Sequence, residues 1–344
     1  MVDKIKVAVL GSTGFVGLEL VNILAKHPNV EINFLGSENY PNENIVNFNN
    51  TLDSYNLPKL SYNKDFKPSF SEVVFLSLPH GISHQYVKNF YNKLKIIDLS
   101  ADFRLDSDKI YNENYEKIHL CPELLDKFVY GLPEINKNNI KNSSNISVPG
   151  CYPTSILLPL IPILKNNLIN PKNIIIDSKS GYSGAGKKFD LKNIKNSLDY
   201  NFYNYNTNTH RHICEIKQEL LKNYNNKINF SFNPHILPVY RGMMSTIYVD
   251  LNDGILLYHI QKILIDYYKN SKFVKILDEN NVCDFFSVQH TNNCLIKLFK
   301  HHSDNKIIIV SLIDNLIKGA AGQAVQCFNI ISNFDEEISL TNLK

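Results

Sequence analysis

The chain has 344 residues, which is enough for two domains of ordinary size with buried cores. Its 36 Lys and Arg and 33 Asp and Glu residues give a formal net charge of +3, and no basic cluster suggests nucleic acid or an anionic membrane as a partner. No apolar run approaches the ~18 residues of a membrane span, so we expect a cytoplasmic protein without membrane segments. The six cysteines show no CxxC pair and no zinc-type spacing, which predicts neither a disulfide framework nor a metal site.

A glycine-rich turn follows the first predicted strand. Residues 5–10 form a continuous apolar run, as in a parallel strand buried on both faces, and helical periodicity begins at Leu18. Between them lie Gly11, Ser12, Thr13, Gly14, Phe15, Val16 and Gly17. Such a turn lets a pyrophosphate approach the helix N-terminus closely, so the sequence predicts a dinucleotide site. A generic turn between a strand and a helix is the alternative.

The first part of the chain alternates predicted strands and helices. Further elements are predicted for strands at 30–35, 73–78 and 96–99 and for a helix at 83–91. This alternation indicates an α/β fold with a Rossmann-like, doubly wound parallel sheet. The polar tract 136–145 is predicted to be a surface loop.

After residue 150 strands predominate. They are predicted at 174–178, 228–232, 246–251, 295–299 and 307–313, with helices at 212–221 and 256–268. Several strands with only two intervening helices indicate an α+β domain with a mainly antiparallel sheet. Residues 319–331 are predicted to form a closing helix.

Cys151 follows a Pro-Gly pair and precedes the apolar stretch 156–164. A cysteine at the start of a helix feels the helix dipole, which lowers a thiol pKa and favours the nucleophilic thiolate. Cys151 is therefore predicted to be a nucleophile, with a buried structural cysteine as the alternative. Backbone N–H groups near residues 150–152 are expected to stabilise an oxyanion. Pro159 and Pro162 predict a kink or a late start in the helix.

Two histidines, His210 and His212, flank Arg211. A thiolate needs a proton partner near neutral pH, and histidine is suited to that role. We assign His212 as the acid/base. His210 is kept as the second choice, because the sequence alone does not rank the two histidines. A helix-capping cluster on the surface is the alternative.

Only three of the 36 basic residues are arginines, namely Arg104, Arg211 and Arg241. Because lysine serves elsewhere in this chain, each retained arginine suggests a need for the planar, bidentate guanidinium group. Chance retention is the alternative.

Several motifs together resemble the N-acetyl-γ-glutamyl-phosphate reductases of arginine biosynthesis, in the same order along the whole chain. They lie at residues 11–17, 78–81 (LPHG), 98–104 (DLSADFR), 130–134 (YGLPE), 149–154, 180–186 (SGYSGAG), 210–216, 234–235 with 241–242, and 314–326 (DNLIKGAAGQAVQ). The resemblance implies a dinucleotide-binding domain at 1–149 and 315–344, completed by the C-terminal helix. It also implies an inserted catalytic and dimerisation domain at 150–314, in the fold of semialdehyde and glyceraldehyde-phosphate dehydrogenases.

The resemblance further implies NADPH-dependent reduction of N-acetyl-L-glutamyl 5-phosphate through a thioester on Cys151, in a homo-oligomer that is a dimer or a tetramer. Besides the glycine turn, the implied coenzyme-binding residues are Ser37, His80, Gly81, Ser180, Gly181 and Gly184. Arg104, Arg211 and Arg241 would bind the anionic groups of the substrate.

Two departures from the family pattern concern charged groups. The family commonly has Ser-Arg after the second strand, where this chain has Ser37 and Glu38, so we expect only a modest preference for NADPH over NADH. Lys187 stands where an arginine is usual.

Two rival functions remain. One is another phosphorylating semialdehyde dehydrogenase, such as one acting on aspartate semialdehyde, against which the motifs at 98–104 and 314–326 argue. The other is a catalytically silent dinucleotide sensor, against which Cys151 and the two histidines argue.

Overall fold

The computed structural model describes residues 4–186, 201–341 and 343, and Lys187 lies outside them. The chain forms two compact units. The N-terminal unit contains Met1–Pro149 and Ala320–Lys344, and the central unit contains Gly150–Gly319. The chain thus leaves the first unit, forms the second, and returns.

The N-terminal unit is built on a parallel sheet, as the sequence predicts. Its described strands are β1 Ile5–Leu10, β2 Val30–Gly36, β3 Leu60–Ser61, β4 Val73–Leu76, β5 Lys95–Asp98, β6 Val129–Tyr130 and β7 Asn145–Ser147. They lie in the order β3-β2-β1-β4-β5-β7-β6, and every pairing is parallel. The chain therefore proceeds outward from β1 in both directions, and open α/β sheets bind ligands at the carboxyl ends of the strands beside such a switch point.

The central unit contains a mixed sheet. Its described strands are β8 Ile174–Gly181, β9 Tyr203–Asn204, β10 Phe230–Leu237, β11 Met243–Asp250, β12 Val274–Leu277, β13 Cys294–Lys300 and β14 Lys306–Ile313. Their order is β12-β13-β14-β11-β8-β10-β9. The β8–β10 and β12–β13 pairs are parallel and the remaining pairs are antiparallel, so the prediction of a mainly antiparallel α+β domain is confirmed.

The described α-helices cover the two sheets. They are α1 Phe15–Ala25, α2 Ser83–Phe90, α3 Asp108–Tyr115, α4 Pro133–Lys141, α5 Cys151–Lys165, α6 His212–Asn223, α7 Leu257–Tyr268 and α8 Gly322–Ile331. The closing helix α8 starts later than predicted, after a π-helical turn at Ile317–Ala321, and it packs against α1 and α4. None of the described helices is long and apolar enough to cross a membrane.

The prediction of a surface loop over residues 136–145 is wrong. Most of this tract lies in α4, which starts at Pro133, and in β7. Proline favours the first turn of a helix because its fixed φ suits that position and no N–H is needed there. Ile140 is fully buried and anchors this polar tract to the core. One apolar anchor among asparagines and lysines was too weak a pattern to identify.

The late start that was one of two predictions for the proline-containing helix is wrong, and the kink that was the other stays a prediction. Helix α5 begins at Cys151 and runs through Pro159 and Pro162 to Lys165. Because Pro162 has no N–H, the carbonyl of Leu158 lacks its usual donor within the helix. The hydroxyl of Tyr268, on α7, donates to that carbonyl at 2.5 Å. This side chain supplies the hydrogen bond that the proline cannot make.

We expect Tyr268→Phe to lower the free energy of unfolding by about 1–3 kcal/mol, because it leaves a buried carbonyl without this donor. Urea denaturation of the purified protein measures the change. Tyr267→Phe, which alters the neighbouring and 37% exposed tyrosine, is the matched control. Equal stability of the two variants would show that the Leu158 carbonyl does not need the hydroxyl.

Candidate active site

Cys151 is the first residue of α5 and carries a half-buried thiol that is not part of a disulfide. The preceding Gly150 is the N-cap, in an extended conformation with φ −67° and ψ 157°. The partial positive charge of the helix N-terminus therefore lies beside the sulfur, as the sequence predicts.

The N–H group of Gly150 is already engaged. It donates to Oε1 of Glu215 at 2.9 Å, and this carboxylate on α6 is fully buried. The expectation that residues 150–152 supply oxyanion donors is therefore wrong for Gly150. Further along this turn Pro153 has no N–H, and the N–H of Thr154 donates to the carbonyl of Gly150 at 3.0 Å. The candidate oxyanion donors are therefore the N–H groups of Cys151 and Tyr152, which have no backbone acceptor within the helix.

Gly319 lies against Cys151. A Cβ atom at Gly319 would come within 2.7 Å of the Cβ of Cys151, so only glycine fits there without a shift. Gly319 belongs to the π-helical turn, and its N–H donates to the carbonyl of Asp314 at 2.9 Å. The carboxylate of Asp314 accepts the N–H groups of Leu316 and Ile317 at 2.8 and 3.2 Å. The motif at 314–326 thus builds a rigid turn that approaches the predicted nucleophile.

The two histidines have different environments. Nδ1 of His210 accepts the N–H of His212, the first residue of α6, at 3.0 Å. A neutral His210 therefore carries its proton on Nε2, which lies 3.5 Å from the hydroxyl of Tyr205. Burial, and secondarily the positive charge of Arg211, lowers the pKa of His210 to about 4. His210 is thus a neutral group that holds the start of α6, which favours His212 as the acid/base.

Tyr152 and Tyr205 complete the surroundings of Cys151, and the sequence did not single them out. The Tyr205 hydroxyl donates to the Tyr152 hydroxyl at 3.3 Å, which donates to the carbonyl of His235 at 3.4 Å. Burial raises the pKa of Tyr205 to about 12 and that of Tyr152 well above its usual value, and the charge of Cys151 acts in the same direction on both. Both hydroxyls therefore stay protonated near neutral pH. Among 19 tyrosines, no pattern distinguished these two.

The three arginines are not equivalent. Arg104 is buried in the N-terminal unit, where Nε and Nη2 donate to the carbonyls of Val148 and Leu99 at 2.7 and 2.8 Å. Arg241 is buried in the central unit, and its Nη1 lies 3.2 Å from Oδ2 of Asp314. Arg211 is exposed. The planar guanidinium groups of Arg104 and Arg241 thus brace their own units, while a contact with substrate stays a prediction for all three.

The glycine turn after β1 fits a dinucleotide. Gly11 has φ +77°, and a Cβ there would lie 2.2 Å from the carbonyl oxygen of Ser77, so the position requires glycine. A Cβ at Gly14, the N-cap of α1, would find its nearest neighbour at 3.5 Å, and no side chain caps this helix. The N-cap residue of α1 thus adds no side chain at the helix N-terminus, a feature suited to the close approach of a pyrophosphate.

The end of β2 shows which side chains border the turn. The hydroxyls of Thr13 and Ser37 are 2.9 Å apart, and Ser37 is only 1% exposed. Ser12 donates to the carbonyl of Gly36 at 2.9 Å. Glu38 is exposed, and its charge contributes to the raised pKa of Tyr86. The hydroxyl of Ser37 therefore contacts the glycine turn, and Glu38 is the exposed charged residue that follows β2.

Asp102 holds the loop that contains His80 and Gly81. Its Oδ1 accepts the N–H of Gly81 at 2.7 Å, and its Oδ2 accepts the N–H of Ser83 at 3.0 Å. Nearby, burial and the negative charge of Asp102 raise the pKa of Asp98 well above its usual value. The motif at 98–104 therefore fixes the loop at the carboxyl end of β4, a role that spacing alone did not reveal.

The remaining predicted coenzyme residues lie in the central unit. Ser180 and Gly181 end β8, and Gly184 lies in the 3₁₀ turn Tyr182–Ala185. The hydroxyl of Ser180 donates to the carbonyl of Gly181 at 3.0 Å, and Ser180 lies close enough to Tyr152 to oppose part of the rise in the pKa of that tyrosine. Ser180 therefore belongs to the group around Cys151, and its contact with a coenzyme stays a prediction.

Family models match both units of the chain. Residues 6–143 match the semialdehyde dehydrogenase NAD-binding domain, and residues 151–315 match the semialdehyde dehydrogenase dimerisation domain. Among solved structures, aspartate semialdehyde dehydrogenase II from Vibrio cholerae has a TM-score of 0.74 at 17% identity and covers 96% of this chain and 99% of its own. The Candida albicans aspartate semialdehyde dehydrogenase solved with NADP has a TM-score of 0.70 at 16% identity, covering 95% and 98%. These likenesses show the fold.

Sequence relatives identify the family. The N-acetyl-gamma-glutamyl-phosphate reductase of Ehrlichia canis is 42% identical over 357 aligned residues, which cover 99% of this chain and 98% of that protein. A probable chloroplastic N-acetyl-gamma-glutamyl-phosphate reductase from Arabidopsis thaliana is 40% identical and covers 98% and 84%. The chain therefore belongs to the N-acetyl-gamma-glutamyl-phosphate reductase family.

Proposed function

We propose that this chain reduces N-acetyl-L-glutamyl 5-phosphate to N-acetyl-L-glutamate 5-semialdehyde and phosphate, a step of arginine biosynthesis, in the cytoplasm. The observation that carries the proposal is the placement of Cys151 at the N-terminus of α5, in a chain whose relatives of this name match it from end to end. In this proposal, residues 1–149 and 315–344 form the dinucleotide-binding domain, and residues 150–314 form the catalytic and dimerisation domain.

In the first step, the thiolate of Cys151 attacks the carbonyl carbon of the acyl phosphate. The C–O bond to phosphate breaks, phosphate leaves with the bonding electrons, and a thioester remains on the enzyme. First-turn N–H groups of α5 would stabilise the negative charge that develops on the carbonyl oxygen. The positive end of the helix dipole acts in the same direction.

The second step needs a hydride and a proton. A nicotinamide coenzyme, when bound, supplies the hydride that reduces the thioester carbonyl. His212 would donate a proton to the oxygen of the resulting thiohemiacetal and take it back as the C–S bond breaks, which releases the aldehyde and the thiolate of Cys151. The neutral His210 keeps His212 in place at the start of α6.

The anionic groups of the substrate are expected to bind positively charged side chains. Arg211 is exposed and lies close enough to His210 to lower its pKa, so we propose that it binds the phosphate or the carboxylate of the substrate. Arg104 and Arg241 are the other two arginines that we propose as substrate-binding residues.

An assay in the direction of aldehyde oxidation tests this function. Phosphate-dependent reduction of NADP is measured with N-acetylglutamate semialdehyde and with aspartate semialdehyde. We expect turnover with the first aldehyde only. Faster turnover with aspartate semialdehyde would assign the chain to the rival dehydrogenase activity, and binding of coenzyme without turnover of either aldehyde would indicate a sensor.

We propose NADP as the coenzyme, with only a modest preference over NAD. A carboxylate that bonds a ribose 2′-OH repels a 2′-phosphate, and the exposed Glu38 is the charged group at the end of β2. Glu38→Arg should raise the ratio of kcat/KM for NADPH to that for NADH about tenfold or more, the scale of one charge-assisted hydrogen bond.

Steady-state kinetics with both coenzymes measure this ratio. The control is Glu31→Arg, a charge reversal at an exposed residue near the other end of β2. A wild-type preference for NADH would show that Glu38 binds the ribose. An unchanged ratio in Glu38→Arg would place the determinant elsewhere.

We also propose that the protein is a homo-oligomer, a dimer or a tetramer. An apolar row crosses the central sheet where Ile175 pairs with Tyr248, Tyr248 with Ile308, and Ile308 with Phe299. Ile175, Tyr248 and Phe299 are 47%, 37% and 38% exposed. A contiguous apolar patch of this kind on a sheet face is typical of an interface between subunits, and the family model describes this region as a dimerisation domain.

A further inference from the structure

Glu215 is a fully buried carboxylate beside the nucleophile. Its Oε1 accepts the N–H of Gly150 at 2.9 Å, and Gly150 immediately precedes Cys151. Burying a carboxylate is unfavourable unless hydrogen bonds compensate for the lost water. The buried carboxylate of Glu215 therefore forms its hydrogen bond with the backbone immediately before Cys151.

The same carboxylate belongs to the helix that carries the predicted acid/base. Glu215 lies in the first turn of α6, three residues after His212, and side chains at this spacing are neighbours on one helix face. The start of α6 is fixed in turn by His210, whose Nδ1 accepts the N–H of His212. Through Glu215, the helix that presents His212 also holds the turn that presents Cys151.

A second element restrains the same turn. Gly319 packs so closely that an added Cβ would meet the Cβ of Cys151 at 2.7 Å. Gly319 therefore limits where the Cβ of Cys151 can lie, while Glu215 fixes the N–H of the preceding residue. Together they define both the position and the orientation of the first turn of α5.

We infer that Glu215 is a positioning residue for the thioester chemistry, because its carboxylate holds the Gly150 N–H and so aligns Cys151 with His212. This inference rests on the proposed function. In this role the N–H of Gly150 helps to orient Cys151 and does not stabilise the oxyanion. A displacement of about 1 Å between reacting groups can cost about a hundredfold in rate, so loss of this contact should affect kcat more than KM.

The test compares Glu215→Ala and Glu215→Gln with Glu219→Ala. Glu219 is a matched control because it is also buried on α6, one turn further along, where its Oε1 accepts a hydrogen bond from Lys222 at 2.8 Å. We expect Glu215→Ala to lower kcat by about 30-fold or more with KM within about threefold, as expected for lost alignment. Glu215→Gln keeps an oxygen acceptor for Gly150 and should retain at least about a third of wild-type kcat. Glu219→Ala should stay within about threefold of wild type.

Two outcomes would overturn the inference. If Glu215→Ala matches Glu219→Ala in kcat, the contact does not align the nucleophile. If Glu215→Gln loses as much activity as Glu215→Ala, the negative charge and not the hydrogen bond to Gly150 is what matters. Should Glu215→Ala fail to fold, Glu215→Asp replaces it, because the shorter side chain withdraws the carboxylate from Gly150, and wild-type kcat in that variant would equally overturn the inference.

A readout that needs no substrate separates this inference from the proposed function. The rate at which iodoacetamide alkylates Cys151 is followed by peptide mass spectrometry on the full-length protein without coenzyme. We expect Glu215→Ala to change this rate by more than about threefold relative to Glu219→Ala, since thiol reactivity depends on its local surroundings. An unchanged rate would count against the role of Glu215 even if the substrate proved to be a different acyl phosphate.

Discussion

Cys151→Ser should abolish turnover while coenzyme binding stays within a few-fold of wild type. Near neutral pH a serine hydroxyl is a far weaker nucleophile than a thiolate, and the start of α5 favours an anion on sulfur. Loss of a covalent nucleophile costs several powers of ten in kcat. The substitution adds no bulk beside Gly319, so the turn itself should keep its structure.

The measurements are kcat in the semialdehyde assay and the dissociation constant of the coenzyme from fluorescence titration. Cys214→Ser is the matched control, because Cys214 is also half-buried in the central unit and its thiol donates to the carbonyl of Arg211. Retention of more than about a hundredth of wild-type activity in Cys151→Ser would remove this thiol from the covalent role.

The parts of the site that are contiguous in sequence could be predicted. The glycine turn of residues 11–17 follows a buried strand and opens a helix, so its local pattern carries the whole geometry. The same holds for Cys151, because the Pro-Gly pair that precedes it predicts the start of a helix. In both cases the residues that create the environment are immediate neighbours in the chain.

The contacts that hold the site together could not be predicted in this way. Glu215 and Gly150 are 65 residues apart, and Tyr268 and Leu158 are 110 apart. Each pair meets only because two helices pack, and no local periodicity encodes which buried polar groups then face each other. The rarity of arginine also did not indicate that the guanidinium of Arg104 donates to main-chain carbonyls, a use that is as specific as binding an anion.

The environments of the two histidines lead to unequal expectations for their removal. His212→Ala should lower kcat by roughly 10²–10⁴ with a smaller change in KM, which is the scale of lost general acid–base assistance. His210→Ala should cost less, because His210 is held neutral and its Nδ1 is engaged with the N–H of His212. Loss of that hydrogen bond should instead lower the free energy of unfolding by about 1 kcal/mol.

The pH dependence of kcat/KM distinguishes the two assignments further. Burial lowers the pKa of His210 to about 4, so this ring gains a proton only well below neutral pH. If His210 were the acid/base, the acid limb of the profile would fall near pH 4, and His210→Ala would remove it. With His212 in that role, His210→Ala should leave the limb in place and reduce kcat less than His212→Ala does. A larger loss in His210→Ala than in His212→Ala would reverse the assignment, because the histidine that exchanges the proton with the substrate oxygen must be the one whose removal costs more.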